Sequence, residues 1–251
     1  MTWAGKRKLV YLSVIAAIVL AVIVIPSIFY FYKTPTCFDG KQNQTELGID
    51  CGGPCQLLCP VQFAPLNVLW SRFFKVSDGV YNALAYVENP NLTAQANNLN
   101  YVFKLYDQKG LLLEERAGQT FSPAGKILTI FEPELFTGNQ RPARLEFAFT
   151  SPAVWFKVEK LETDLAVTEA ALTRLETSPR LEFTLTNKTT KLIKQIEVVG
   201  IIYDTDGNTV AFSRTIVDSL TNKEARVVSL NWPLPFTGTP ARNEIVFKIL
   251  K

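Results

Sequence analysis

YVFKLYDQKG (101–110) and VVGIIYDTDG (198–207) decide how this chain is read. Tyr101, Phe103 and Leu105 alternate with smaller or polar residues, the period-two pattern of a half-buried strand. Tyr106-Asp107 with Gly110 recurs as Tyr203-Asp204 with Gly207, 97 positions later. In both places an Asp able to bond backbone amides and a Gly able to take positive φ predict a hairpin turn.

The correspondence extends outward. LFTGNQRPARLEFAF (135–149) and PFTGTPARNEIVFKI (235–249) share Phe-Thr-Gly, at 136–138 and 236–238. Upstream, Leu66 and Val68 match Leu165 and Val167, and Asn89 matches Asn187. Landmarks in one order at a nearly constant offset point to an internal repeat, with copies over 66–160 and 161–251. RLEFTLTN (180–187) puts Leu181, Phe183 and Leu185 on one face and Glu182, Thr184 and Thr186 on the other. KILTIF, ARVVSL, RLEFAF and NEIVFKI supply further short strands, so each copy is expected to form an antiparallel sandwich of six or seven. LAVTEAALTRLE (165–176) is rich in helix formers, but its counterpart LNVLWSRFFKV is β-branched and aromatic; the repeat therefore assigns both to strands.

Phe103-Lys104-Leu105-Tyr106-Asp107 resembles the signature of FxLYD domains, immunoglobulin-like β modules of bacterial envelope proteins similar in fold to type 2 late-embryogenesis-abundant domains. Gly200 stands in place of the Phe in the second copy. The resemblance implies two tandem Ig-like sandwiches and supplies no catalytic residues.

Before the sandwiches lie an apolar segment and a cysteine-rich one. Leu9–Tyr32 carries no charge. Its two dozen residues would span roughly 36 Å as a helix, enough for a hydrocarbon core of about 30 Å. Lys6, Arg7 and Lys8 precede it and Lys33 follows, which predicts a cytoplasmic tail (1–8) and an extracytoplasmic C-terminal part. The run is long and ends in bulky aromatics without a small-x-small site, favouring an uncleaved anchor over a signal peptide. The expected location is therefore the cell membrane, crossed once through Leu9–Tyr32.

The collar, 33–65, contains all four cysteines: Cys37, Cys51, Cys55 and Cys59. Too small to bury a core, it is expected to rely on two disulfides, for which three pairings exist. A four-thiolate zinc site is the weaker reading, because the spacing lacks paired knuckles. CFDGKQNQTELGIDCGGPC resembles a short cysteine motif of extracellular proteins, which implies location rather than activity. Asp39, Asn43, Glu46 and Asp50 are a candidate calcium set. Asp39, Asn43 and Asp50 occupy positions 1, 5 and 12 of an EF-hand-like count, although Lys41 and Gln44 fill positions 3 and 6. Turn capping inside a disulfide knot is the plainer reading of the same residues.

The chain has no histidine, which excludes Ser–His and Cys–His catalysis and imidazole metal ligation, and no Ser-x-x-Lys string occurs. A net charge of +3 without a basic stripe gives no reason to expect nucleic acid. Asp107 and Asp204 read as turn residues, and Trp70, Trp155 and Trp232 as packing. The expected function is a membrane-anchored, non-enzymatic interaction or spacer protein with an envelope protein partner and no cofactor, binding through loops such as Asn89–Asn98. The alternative is a ligand- or calcium-binding sensory ectodomain acting through a partner, which a large apolar cleft shared between the copies would favour.

Overall fold

The computed structural model describes residues 3–31, 34–158 and 165–250. They form two compact units, Met1–Cys55 and Gln56–Lys251. The domain boundary expected at 160/161 and the last anchor residue, Tyr32, lie outside the described residues.

In the first unit, helix α1 (Trp3–Phe31) is uncharged from Leu9 onward and buries no residue, so it is long and apolar enough to cross a membrane. It begins before the expected anchor and includes Lys6–Lys8, with Arg7 over the Trp3 ring at 3.6 Å. Pro26 lies inside it and cannot donate a backbone hydrogen bond; one residue on, Ser27 Oγ donates to the Ile23 carbonyl at 2.6 Å.

The second unit is two antiparallel β-sandwiches. The first comprises β1 (Asn67–Ser77), β2 (Val80–Glu88), β3 (Ala94–Tyr106), β4 (Leu112–Ser122), β5 (Ile127–Phe136), β6 (Arg144–Phe149) and β7 (Val154–Lys157), in sheets ordered β1-β2-β5 and β4-β3-β6 with β7 also on β3. The second comprises β8 (Leu165–Thr173), β9 (Arg180–Asn187), β10 (Ile193–Tyr203), β11 (Thr209–Leu220), β12 (Ala225–Asn231) and β13 (Arg242–Ile249), ordered β8-β9-β12 and β11-β10-β13. The strand orders agree once β7 is set aside. β8 is a strand despite its helix formers, because pairing with β9 outweighs local propensity.

Alternation fills each core. Phe103 and Leu105 point inward with Ala83, Ala85, Leu128 and Ile130; Leu181, Phe183 and Leu185 meet Ile196, Val198 and Ile202. Where the first sandwich holds Phe103, the second has Gly200, and a Cβ there would lie 2.4 Å from Leu230 Cδ1. Leu230 has taken the space that the ring fills in the other copy.

Asn89 and Asn187, both buried, hold the loops at one end of each sandwich. Asn89 Nδ2 donates to the carbonyls of Ala94 and Pro123, and Asn187 Nδ2 to those of Lys191, Leu220 and Thr221. Of the expected loop Asn89–Asn98, residues 89–93 do connect β2 to β3, but the remainder does not form a loop. Ala94–Asn98 lies inside β3, Ala94, Gln95 and Ala96 are buried, and Asn91 is fixed to the backbone of Ala64. The Ala and Gln side chains there fit a strand paired with β7, a partner the sequence pattern did not reveal.

Residues from Gln56 onward pack on the first sandwich rather than forming a separate collar. Leu57 bridges Phe156, Lys157 N–H donates to the Gln56 carbonyl, and Phe63 stacks on Trp155 at 4.6 Å. This segment covers the outer edge of β7, as an unpaired strand edge requires.

The outer faces distinguish the copies. Lys104 is partly exposed and paired with Glu115 at 3.1 Å, whereas the corresponding Ile201 is fully buried. β10 carries Val199, Ile201 and Tyr203 on its outer face, and they pack with Phe212 against Leu84, Phe131, Trp70, Phe74 and Tyr86 of the first sandwich. A strand buried on both faces reads as a continuous apolar run, which VVGIIY (198–203) is. Ile201→Ala should therefore destabilise the second unit by about 2–5 kcal/mol through cavity formation. Lys104→Ala should leave the denaturation midpoint nearly unchanged, since its ion pair with Glu115 is solvent-screened. Equilibrium denaturation of both variants checks the contrast.

Candidate functional site

The junction between the sandwiches is a buried apolar centre with polar margins. Phe212 meets Phe74 and Phe131 edge-on at 5.1 and 5.8 Å, and Trp70 stacks on Tyr86 at 4.9 Å. At one margin Glu244 accepts from Tyr86 of the first sandwich (2.6 Å) and Tyr203 of the second (2.9 Å). Burial, then the hydrogen bond to Glu244, raises the pKa of both phenols far above the usual tyrosine value, so they remain donors.

At the opposite margin a cleft of about 730 Å³ opens between the sandwiches. Its second-sandwich wall is built on Glu197 of β10, Arg214 of β11 and Lys248 of β13. Glu197, 6% exposed, pairs with Arg214 at 3.2 Å and with Lys248 at 2.9 Å. Lys248 also donates to Thr120 of the first sandwich at 3.2 Å, and Arg214 lies over the Phe131 ring at 4.9 Å. The first-sandwich wall carries Tyr101, whose hydroxyl donates to Glu132 at 2.6 Å. Gly118 makes that reach possible: it pairs with Tyr101 across β3 and β4, and a Cβ there would lie 2.4 Å from the tyrosine oxygen. Burial, followed by the bond to Glu132, raises the Tyr101 pKa well above its usual value.

The collar carboxylates are held by backbone amides. Asp50 accepts from Asp39 N–H (3.0 Å) and Gly40 N–H (2.9 Å); Asp39 accepts from Thr36 and Lys41 N–H and from Asn43 Nδ2. The Thr36 amide and Asn43 are the main reason the Asp39 pKa falls, the Asn43 bond being the larger. Glu46, 6% exposed, accepts from Asn43 N–H at 3.1 Å. Asp39, Asn43 and Glu46 are thus joined through Asn43, and Asp50 caps the amides of the opening turn. Among the described residues, the oxygens of Asp39, Glu46 and Asp50 do not all come within 4.8 Å of one another. Glu46 does approach both Cys37 and Cys55. Those sulfurs are bonded to each other, with the Cα atoms 5.6 Å apart, so they are not thiolate ligands. Cys51 and Cys59 are also disulfide-bonded, and no described cysteine is free.

Asp107 accepts from Lys109 and Leu111 N–H, and Asp204 from Asp206 and Asn208 N–H, at 2.8–3.0 Å. Gly110 and Gly207 take φ of 81° and 82°. Trp155 and Trp232 are buried in their own sandwich cores, and Trp70 packs at the junction. Asn187, first residue of an Asn-Lys-Thr sequon, is fully buried with its amide spent on three carbonyls.

No protein-family model matches the chain, and no curated protein matches it. Among solved structures, red sea bream transglutaminase is similar over 73% of this chain and 29% of its own, at 12% identity and a TM-score of 0.26. A β-glucuronidase from glycoside hydrolase family 2 is similar over 63% and 21%, at 13% identity and a TM-score of 0.23. The chain spans under a third of either, and likenesses this slight leave the reading to the residues themselves.

Sequence reasoning did not find Glu197, Arg214, Lys248, Glu132 or Tyr101 as one site. The available signal was the unbroken apolar run of β10, which marks a covered outer face, with the charges flanking that run at its margin. Because Glu197 neutralises two cations, Glu197→Gln should destabilise the fold by about 3 kcal/mol. Lys248→Met leaves Glu197 paired with Arg214, so no buried charge is stranded and the loss should be smaller than that of Glu197→Gln. Denaturant midpoints of the two variants give the order.

A separate pH effect comes from Glu224, whose carboxylate accepts from the Thr221 amide and hydroxyl, both at 2.8 Å, and from Arg226. The Thr221 amide above all lowers its pKa from 4.5 to about 2. A depressed folded-state value contributes stability that is present above the unfolded pKa and lost as pH falls through the folded one. The melting difference between wild type and Glu224→Gln should be constant above about pH 5 and close between pH 4.5 and 2.

Proposed function

We propose that this chain is a single-pass membrane-anchored envelope protein with a cytoplasmic N-terminus, whose two FxLYD-type sandwiches lie outside the cytoplasm and bind or space a protein partner without catalysis. The observation that carries the reading is the junction centred on Ile201, Leu84 and Phe212, which makes the two sandwiches one block suited to presenting a fixed surface. The disulfides support an oxidising compartment. Corresponding turns and buried asparagines in the two sandwiches support a duplicated domain. The carboxylates of the turns and junction already serve amides, phenols and cations, leaving few for acid–base chemistry.

A second reading has an observation of its own. The cleft between the sandwiches favours a ligand-binding ectodomain that acts through a partner.

Topology is tested in intact cells. Externally added protease should digest the sandwiches, and Thr2→Cys should resist a membrane-impermeant thiol reagent until the cells are opened. Labelling of that cysteine in intact cells would reverse the orientation. A hydrolase activity lost on changing Glu132 alone, with melting unchanged, would overturn the non-enzymatic reading.

A further inference from the structure

The cleft has a chemistry more specific than its size. Its four charged groups, Glu132, Glu197, Arg214 and Lys248, sum to zero, and each already has a partner inside the protein. An ionic ligand would have to break those pairs; a neutral one would not. Besides these charged groups and an apolar floor that includes Ile130 and Leu250, the lining has amide side chains at Asn97, Asn98 and Gln119 and partly exposed aromatic rings at Phe156 and at Phe121, whose centroid lies 5.9 Å from Lys248 Nζ.

Asn98 is the most telling. It sits at φ +53° in the irregularity of β3 between Ala96 and Leu99, is exposed on the cleft, and has no hydrogen-bond partner among the described residues. Gln119, by contrast, is braced by its own bond to Asn100 at 2.9 Å. An irregular strand residue of this kind re-aims a side chain. Here it gives the cleft a donor and an acceptor in one uncharged group. The volume lies in the range of small-molecule sites, roughly 300–1,000 Å³.

We propose that the cleft binds a neutral saccharide of one or two rings. A sugar ring offers an apolar C–H face to a phenyl ring and a rim of hydroxyls to amides, and it carries no charge to disturb the four paired groups. The site requires both sandwiches, since Asn98 and Phe121 come from the first and Arg214 and Lys248 from the second. This inference rests on the ligand-binding reading given above.

The test uses the full chain in lipid nanodiscs, because alkyl-glycoside detergents would compete. Saturation-transfer NMR with maltose, cellobiose and diacetylchitobiose should show transfer to the ring C–H protons of at least one. Asn98→Gly keeps access to positive φ while removing the amide, and should weaken that binding at least about fivefold with melting unchanged. Phe121→Ala should weaken it as well. Co-sedimentation with insoluble cellulose or chitin, also lost in Asn98→Gly, would identify a polymer rather than a free sugar as the source. A set of neutral non-sugar amides and alcohols is run in parallel. Transfer to these alone, lost in Phe121→Ala, overturns the saccharide class and leaves a ligand-binding cleft. No transfer to any probe, or transfer that neither variant alters, overturns both.

Discussion

Burial of the β10 outer face against the first sandwich is the constraint on which the rest of the second unit depends. An apolar row of Val199, Ile201 and Tyr203 cannot face water without losing about 1.5–3 kcal/mol for each large side chain. Leu84 and Phe131 on the facing sheet are in the same position. Each sandwich has its own core, yet each exposes an apolar sheet when alone, and the two exposures cancel. Everything at the margins of that contact, including the Glu244 tyrosine pair and the walls of the cleft, is positioned by it.

The polar groups at the margins contribute differently. A buried ion pair such as Glu197–Lys248 returns little net stability once the desolvation of both charges is counted. Its geometry is directional, however, and Lys248 reaches Thr120 of the first sandwich only in the observed alignment. Apolar contact tolerates sliding, whereas these bonds fit a single register. Tyr86 and Tyr203 act alike, since one carboxylate can accept from both only when β2 and β13 are correctly opposed.

Features governed by local chemistry were legible in the sequence. The helix segment, the strand alternation of 180–187 and the Asp–Gly turns at 107–110 and 204–207 each follow from a few adjacent residues. Disulfide bonding of the four cysteines was legible from their crowding, but the Cys37–Cys55 pairing was not, because it depends on how the loop folds. The junction was illegible for a similar reason: periodicity shows which residues a strand turns outward but not what covers them. Asn89–Asn98 was read as one loop, whereas only residues 89–93 are. The alanines at 94 and 96 begin a strand that pairs alongside β7, a neighbour at 154–157 that no local pattern reveals. The cleft combined both difficulties, drawing residues from opposite ends of the chain onto faces whose opposition no local pattern encodes.

The facing sheets also set an order of events during synthesis. The strands of the first sandwich are complete in the chain by Lys157, while the sheet that covers its outer face ends at Ile249. At roughly 5–20 residues per second, the intervening stretch takes roughly 5–20 s to make. For that interval a folded first sandwich presents Trp70, Phe74, Leu84, Tyr86 and Phe131 to its surroundings, an adhesive surface on an otherwise finished domain. A nascent chain of this kind is most exposed to mispairing with its neighbours just before completion. Slowing synthesis after residue 157 would lengthen that exposure without altering a single contact in the finished protein.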